Sequence, residues 1–334
     1  MSDSISISNA PVLSGLKFRR FRGEVDYPQL VSVLNASKQA DQIPEVDTLE
    51  QIANAYTHLT NCDPKRDIVM IEVNDKLVGY ARVWWGAELN SDHIYFHVTF
   101  LDPRFRRKGI GRAMLRWGET RLREIASPHP PQVKRMFQTF TGPHEAGKHA
   151  LMEQEGYQPV RYGYLMVRPN LVDILDLPLP EGLEIRAVKD DHLRAIWNAA
   201  QEAFRHHWGY VDRGEEGYQG FMASVEYAPD IWKVAWDMKT NEVAGMVLGF
   251  IHHAENQKFN RLRGWTENIS VRRPWRKRGL ASALIAANLR ELKTHGMTEA
   301  ALGVDTENLT GALRVYERMG FKPVEKFTTY RKEM

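Results

Sequence analysis

The sequence predicts an α/β chain of two tandem domains, each a mixed sheet with helices on its faces, and three observations predict it. The chain is 334 residues long, which at ~150 residues per domain calls for two compact cores. A basic turn that runs into a glycine and an apolar helix occurs twice, as FRRKGIGRAML from Phe105 and as WRKRGLASALI from Trp275, an offset of 170. A second pair of landmarks follows in the same order, MEQEGYQPV at Met152 to Val160 and YERMGFKPV at Tyr316 to Val324, an offset of 164. Two matched landmarks in one order are the signature of an internal duplication.

Each element follows from period and punctuation. In the first half Leu16 to Phe21 reads as a strand, and Tyr27 to Ser37 and Thr48 to Thr57 as helices. Asp67 to Val73 and Leu77 to Trp85 form a hairpin about Asn74-Asp75, and Ile94 to Leu101 continues as a strand. Gly109 to Ile125 is a helix, Val133 to Thr139 a strand, Glu145 to Glu155 a helix, and Tyr157 to Val167 closes the half as strand. Pro169 to Gly182, with three prolines and three acidic residues in a Leu-rich stretch, reads as the linker. The domains are therefore expected at 1–168 and 183–334, joined by 169–182. The second half repeats the order: strand Leu183 to Val188, helix Asp191 to Phe204, strands Ile231 to Asp237, Val243 to His252 and Trp265 to Val271. Helix Leu280 to His295, strand Glu299 to Val304, helix Thr310 to Met319 and strands Lys322 to Phe327 and Thr329 to Lys332 complete it.

Composition excludes several classes. With 43% hydrophobic, 26% charged and 10% aromatic residues, the chain is a soluble globular protein rather than a disordered one. The longest near-apolar stretch, Gly279 to Leu289, is short of the ~20 residues a bilayer span needs, and Met1 to Gly15 lacks a basic start and an apolar run. Neither export nor membrane contact is expected. One cysteine, Cys62, makes no intrachain disulfide and cannot ligate zinc alone, which fits a reducing cytoplasm. A balance of 45 basic to 42 acidic side chains gives no reason to expect a nucleic-acid partner.

The basic glycine turn suits an anion. A strand ends at Ile269-Ser270-Val271, Arg276-Lys277-Arg278 follow, and a helix opens at Gly279-Leu280-Ala281-Ser282. The first amides of a helix have no intrahelical acceptor and lie at the positive end of its dipole. Gly279 and Ala281 let a diphosphate approach the backbone, and the three basic residues add full charges beside the partial ones. The same features recur at Arg106, Arg107, Lys108, Gly109, Ile110 and Gly111.

At this point the sequence resembles the GNAT acetyltransferase superfamily, whose coenzyme signature is Arg/Gln-x-x-Gly-x-Gly/Ala. Arg276, Gly279 and Ala281 match it, as do Arg106, Gly109 and Gly111. Asn308, Ala312, Tyr316 and Gly320-Phe321 resemble its second signature, with the first three on one helical face. The resemblance covers nearly the whole chain as two tandem GNAT (acyl-CoA N-acyltransferase) domains, the second copy being the better match. Among tandem members it is similar to the mycothiol synthase group, whose enzymes acetylate the cysteinyl amine of an amino-sugar conjugate.

The resemblance implies acetyl-CoA as cosubstrate and direct attack by a primary amine of a small molecule, through a tetrahedral intermediate, in the second domain. Acetyl transfer needs a neutral nucleophile, a home for the oxyanion and a proton for the thiolate. Tyr316 sits where the family has its general acid, and an ordinary tyrosine with pKa ~10 is protonated at neutral pH. Glu267 lies on the strand that the family turns toward the acetyl group and is the candidate base. Ile269 and Val271 would pair with the pantetheine arm, and Asn308 would hold that arm or cap the helix. Phe204, His206, His207, Trp208 and Tyr210 gather aromatics and histidines suited to a polar ligand with an apolar face. Neither His206-His207 nor His252-His253 has the i, i+4 spacing of a helical metal pair, so no metal is expected.

Carried through, the alignment sets Met152 opposite Tyr316, His144 opposite Asn308 and His97 opposite Glu267, so the first copy is expected to lack the chemistry. An acetyl-CoA-binding regulatory protein without turnover is the competing reading. The acceptor stays open among amino sugar, polyamine, antibiotic, small amine and protein N-terminus, as does the oligomeric state.

Overall fold

The computed structural model describes residues 4–89, 92–307 and 311–334. Two compact units divide the chain, and they do not follow chain order. The first comprises Met1–Val160, Arg213–Val225 and Thr328–Met334; the second comprises Arg161–Asp212 and Glu226–Phe327.

The first unit carries β1 (Ser4–Ile5), β2 (Leu16–Arg20), α1 (Tyr27–Ala40), α2 (Leu49–Thr57), β3 (Ile68–Val73), β4 (Lys76–Ala87) and β5 (His93–Leu101). Then come α3 (Ile110–Ala126), β6 (Arg135–Thr141), α4 (Ala146–Gln154) and the start of β7 (Gln158–Arg168), which runs on into the second unit. β1 to β5 are antiparallel neighbours in order, and β6 joins β5 in parallel. The hairpin between β3 and β4 turns on Asn74 and Asp75, both left-handed at φ 50° and 61°. Short polar side chains tolerate that conformation. Thr48 and Gln51 start α2 by capping each other's backbone amides. Helix α1 buries Leu30, Val33 and Leu34 with Tyr56 and Tyr80, while α3 buries Ala113 and Met114 with Val69 and Ile71.

The second unit takes β7 from Arg161, then β8 (Leu183–Arg186), α5 (Leu193–Phe204), β9 (Lys233–Asp237), β10 (Val243–Val247), α7 (His253–Lys258), β11 (Arg263–Trp265) and β12 (Ser270–Val271). The helix between α5 and β9, α6 (Gly214–Met222), belongs to the first unit. α8 (Leu280–Thr294), β13 (Glu299–Asp305), α9 (Ala312–Arg318) and the first half of β14 (Lys322–Glu333) complete the second unit. β8, β9, β10 and β12 form one antiparallel sheet. β13 lies between β7, antiparallel, and β11, parallel. Leu280, Leu284, Ile285 and Leu289 of α8 pack with Ala300, Leu302 and Tyr316 in one core.

β1 and α7 have no counterpart in the sequence expectation, and three further elements differ from it. The expected strand Trp265 to Val271 is two short strands, because Asn268 is left-handed at φ 48° and breaks the ladder. The expected pair of closing strands is one strand, β14, whose residues 328–333 pair with β6, Thr328 opposite Thr141. Helix α6 was not expected, and three of its nine residues are glycines. Its Gly220 approaches His58 so closely that a Cβ would meet the histidine Cβ at 3.1 Å, and Asn54 donates to the Gly220 carbonyl at 3.0 Å. Among the described residues no helix is long and apolar enough to cross a membrane.

Leu284 has no exposed surface, so Leu284→Ala is expected to cost about 2–5 kcal/mol, read as a lower midpoint in chemical denaturation with the slope unchanged.

Candidate active site

The two glycine turns share one backbone. Arg107 and Gly109 are left-handed at φ 60° and 82°, and Lys277 and Gly279 at φ 62° and 84°. Each glycine caps the helix behind it without a side-chain hydrogen bond. At Gly279 a Cβ would meet nothing within 4 Å, so the glycine is there for its dihedral rather than for space. This alternation turns successive amides to one side, the kind of concavity that binds anions, at the positive end of a helix of 15 or 17 residues.

The leading arginine of each turn builds it. Arg276 donates from Nε to the Val271 carbonyl at 2.8 Å and from Nη2 to the Ala203 carbonyl at 3.3 Å. Arg106 donates from Nε to the Leu101 carbonyl at 3.4 Å and engages the Asp41 carboxylate at 2.6 and 2.7 Å. Each thus ties the turn to a strand end five residues back. Lys277 and Arg278 are exposed beside Gly279, with Arg278 reaching the Glu181 carbonyl at 2.8 Å. Arg107 and Lys108 stand likewise beside Gly109.

Next to each turn two parallel strands part. β5 pairs with β6 only as far as Phe96 opposite Gln138, yet pairs with β4 through Leu101. β11 pairs with β13 as far as Trp265 opposite Ala301, and Ser270 and Val271 pair instead with β10. Ile269 and Val271 pack on the α8 core.

The bulge at Asn268 decides where Glu267 faces. Gly264 lies against Leu292 of α8, so the alternating neighbours Trp265 and Glu267 face the other way. Trp265 packs there with Leu165, Val167 and Ala301. Glu267 accepts from the Gly303 amide at 2.9 Å, a donor that the parting of the strands leaves without a ladder partner. Burial pushes the Glu267 carboxyl up to about 7, against the pull of the Gly303 and Asn268 amides. Tyr316, on α9, is buried in the α8 core, and burial followed by the Glu267 charge raises its phenol above the usual range. Burial thus raises both groups, a carboxyl near the parting of the strands and a phenol within reach of its charge.

β5 has no such bulge. His97 faces α3, its Cβ within 3.5 Å of where a Gly118 side chain would begin, and Val98 takes the opposite face. The alignment of His97 with Glu267 is corrected accordingly: the residue facing as Glu267 does is Val98. Met152 is buried beside Leu115 and Phe137.

Asn308 lies outside the described residues. Phe204 ends α5, and the His207 ring meets it edge-on at 4.7 Å. Burial and then the Arg276 charge push the His207 imidazole down. Tyr210 donates to Gln201 at 3.0 Å, Trp208 lies under the Arg161 guanidinium at 5.4 Å, and His206 is exposed. Sequence reasoning missed Asn268, Gly303 and the Arg161–Asp305 pair, bidentate at 2.9 and 2.8 Å. None of these carries a motif signal.

Asn268→Gly is expected to keep the bulge and the activity, whereas Asn268→Val, strained at positive φ, is expected to lower turnover at least about tenfold in a thiol-release assay.

The family model described as Acetyltransferase (GNAT) family matches residues 30–155 and 193–321. A mycothiol acetyltransferase of Streptomyces bingchenggensis is 30% identical over 267 residues, 78% of this chain and 79% of that protein. One of Streptomyces coelicolor is 30% identical over 77% of each chain. A crystal structure of a GCN5-related N-acetyltransferase from Sphaerobacter thermophilus superposes with TM-score 0.71 at 25% identity, covering 96% of both chains. A tandem GNAT protein from the clavulanic acid biosynthesis pathway has TM-score 0.66 at 16% identity, covering 95% of this chain and 98% of that one. With both glycine turns inside the matched ranges, the chain belongs to the GNAT acetyltransferase family as a tandem N-acetyltransferase whose donor is acetyl-CoA.

Proposed function

We propose that acetyl transfer to a small-molecule primary amine takes place in the second unit, with Glu267 as base and Tyr316 as acid. The observation that carries this reading is the pair itself, one residue on each face of the sheet where β11 and β13 part, beside the Gly279 turn.

Acetyl-CoA supplies the activated acyl group. The amides of Gly279 to Ser282, with Lys277 and Arg278, hold its diphosphate, and the unpaired edge at Ile269 to Val271 aligns the arm. The amine enters on the face of Trp265 and Glu267. A carboxyl near pKa 7 is a base matched to neutral pH, able to take the ammonium proton directly or through water. Tyr316, held protonated by burial, gives its proton to the departing thiolate. Trp208, His207, Phe204, His206 and Tyr210 border the acceptor. The relatives named mycothiol acetyltransferase support a small thiol-bearing acceptor, and the single cysteine, Cys62, fits a reducing cytoplasm. The first turn, Arg106 to Gly111, binds coenzyme A by the same backbone.

Incubation with acetyl-CoA and a panel of primary amines, with thiol release followed, tests this reading; release without dependence on any amine counts against it. Tyr316→Phe is expected to lower kcat ~100-fold or more, as loss of a general acid does, and near-full activity in that variant removes the assignment. The base must be deprotonated to work, so kcat/KM is expected to fall as pH drops through about 7. Glu267→Gln is expected to abolish that acid limb, and a pH–rate profile that keeps it points to another group.

A further inference from the structure

The first unit encloses a cavity of about 370 Å³ at the Gly109 turn, lined by Gly109, Gly111, His97, Thr139, Lys148 and Met152 among others. His97 and Thr139 are the first residues beyond the last paired residues of β5 and β6, Phe96 and Gln138. They flank the parting of the strands as Thr266 and its neighbours do in the second unit. Both are almost wholly buried, 5% and 1% exposed. The His97 Nε2 and the Thr139 Oγ find no hydrogen-bond partner among the described residues. Buried polar atoms left unpaired are costly, which makes a ligand acceptor the natural partner. Burial, with Lys148 and Lys332, keeps the imidazole neutral at physiological pH, so it has one N–H to donate.

The positions that match the proposed acid and base of the second unit hold Met152 and Val98. Met152 has no proton for a thiolate, and Val98 presents no base on the opposite face. What this arrangement offers is hydrogen bonds to a carbonyl placed where the strands part. A thioester carbonyl accepts such bonds, whereas the free thiol of coenzyme A is a poor acceptor.

We infer that the first unit is a non-transferring site that reads the acylation state of coenzyme A, with His97 and Thr139 donating to the thioester carbonyl. The inference rests on the reading of the Gly109 turn as a coenzyme mouth, and the experiment separates the two. Calorimetry on the full chain with acetyl-CoA and with reduced coenzyme A identifies the first-unit event as the one that Gly111→Trp removes. That event is expected to be about 30-fold tighter for acetyl-CoA, the worth of two neutral hydrogen bonds. His97→Phe combined with Thr139→Val is expected to bring the ratio to about one with coenzyme A affinity unchanged, while His97→Gln, which keeps a donor, retains the preference. Equal affinities in the unmodified protein, or a preference that survives the double substitution, overturn the inference and leave the coenzyme mouth standing. Absence of any event sensitive to Gly111→Trp, with either ligand, overturns both.

Discussion

The structure depends on a backbone constraint: two left-handed residues, separated by one, where a strand hands over to a helix. The same dihedrals occur at Arg107 and Gly109 and at Lys277 and Gly279, although the side chains between and around them differ. Left-handed backbone disfavours Cβ-bearing residues, and both turns accept that cost at a basic residue. What offsets it locally is the leading arginine, which ties each turn to the carbonyl of the preceding strand, Leu101 or Val271. The outcome is a row of helix-initial amides with no internal acceptor, aimed where a diphosphate would lie.

The two units then diverge through one residue. Asn268 breaks the strand so that Glu267 faces away from α8 and takes the Gly303 amide that the parting of the strands releases. Its carboxyl is buried with only two backbone amides to favour the charge, which is why it rises to about 7 instead of remaining an ordinary carboxylate. β5 runs straight through the matching stretch and sets His97 on the α3 face and Val98 on the opposite one. Both copies keep the glycine turn, while Tyr316 and Glu267 have Met152 and Val98 as their counterparts in the first.

Much of this was legible in the residues. The repeated turns and the period of the helices located α1, α3, α5 and α8 and most strands, because an amphipathic helix and a glycine cap are local features. The assignment of Tyr316 and Glu267 came from the resemblance to the family, and in the structure the Glu267 charge acts on the Tyr316 phenol. Features that depend on distant partners were not legible. The closing strand β14 spends its second half in the first unit, a choice that no local pattern encodes. Helix α6 forms over glycines because α2 receives it closely at His58. The facing of His97 could not be read by counting, since one left-handed asparagine elsewhere shifts the count, and a one-residue shift turns every following side chain to the other face. Arg276, read as charge for a phosphate, also proves to be a brace for the turn.

The most direct test is a crystal structure with acetyl-CoA and the acceptor-site residues unmodified. The account places the diphosphate within hydrogen-bond distance of the amides at Gly279 to Ser282 and the acetyl carbon between Glu267 and Tyr316. Electron density for the diphosphate away from that turn, or an acetyl group remote from both side chains, would contradict it.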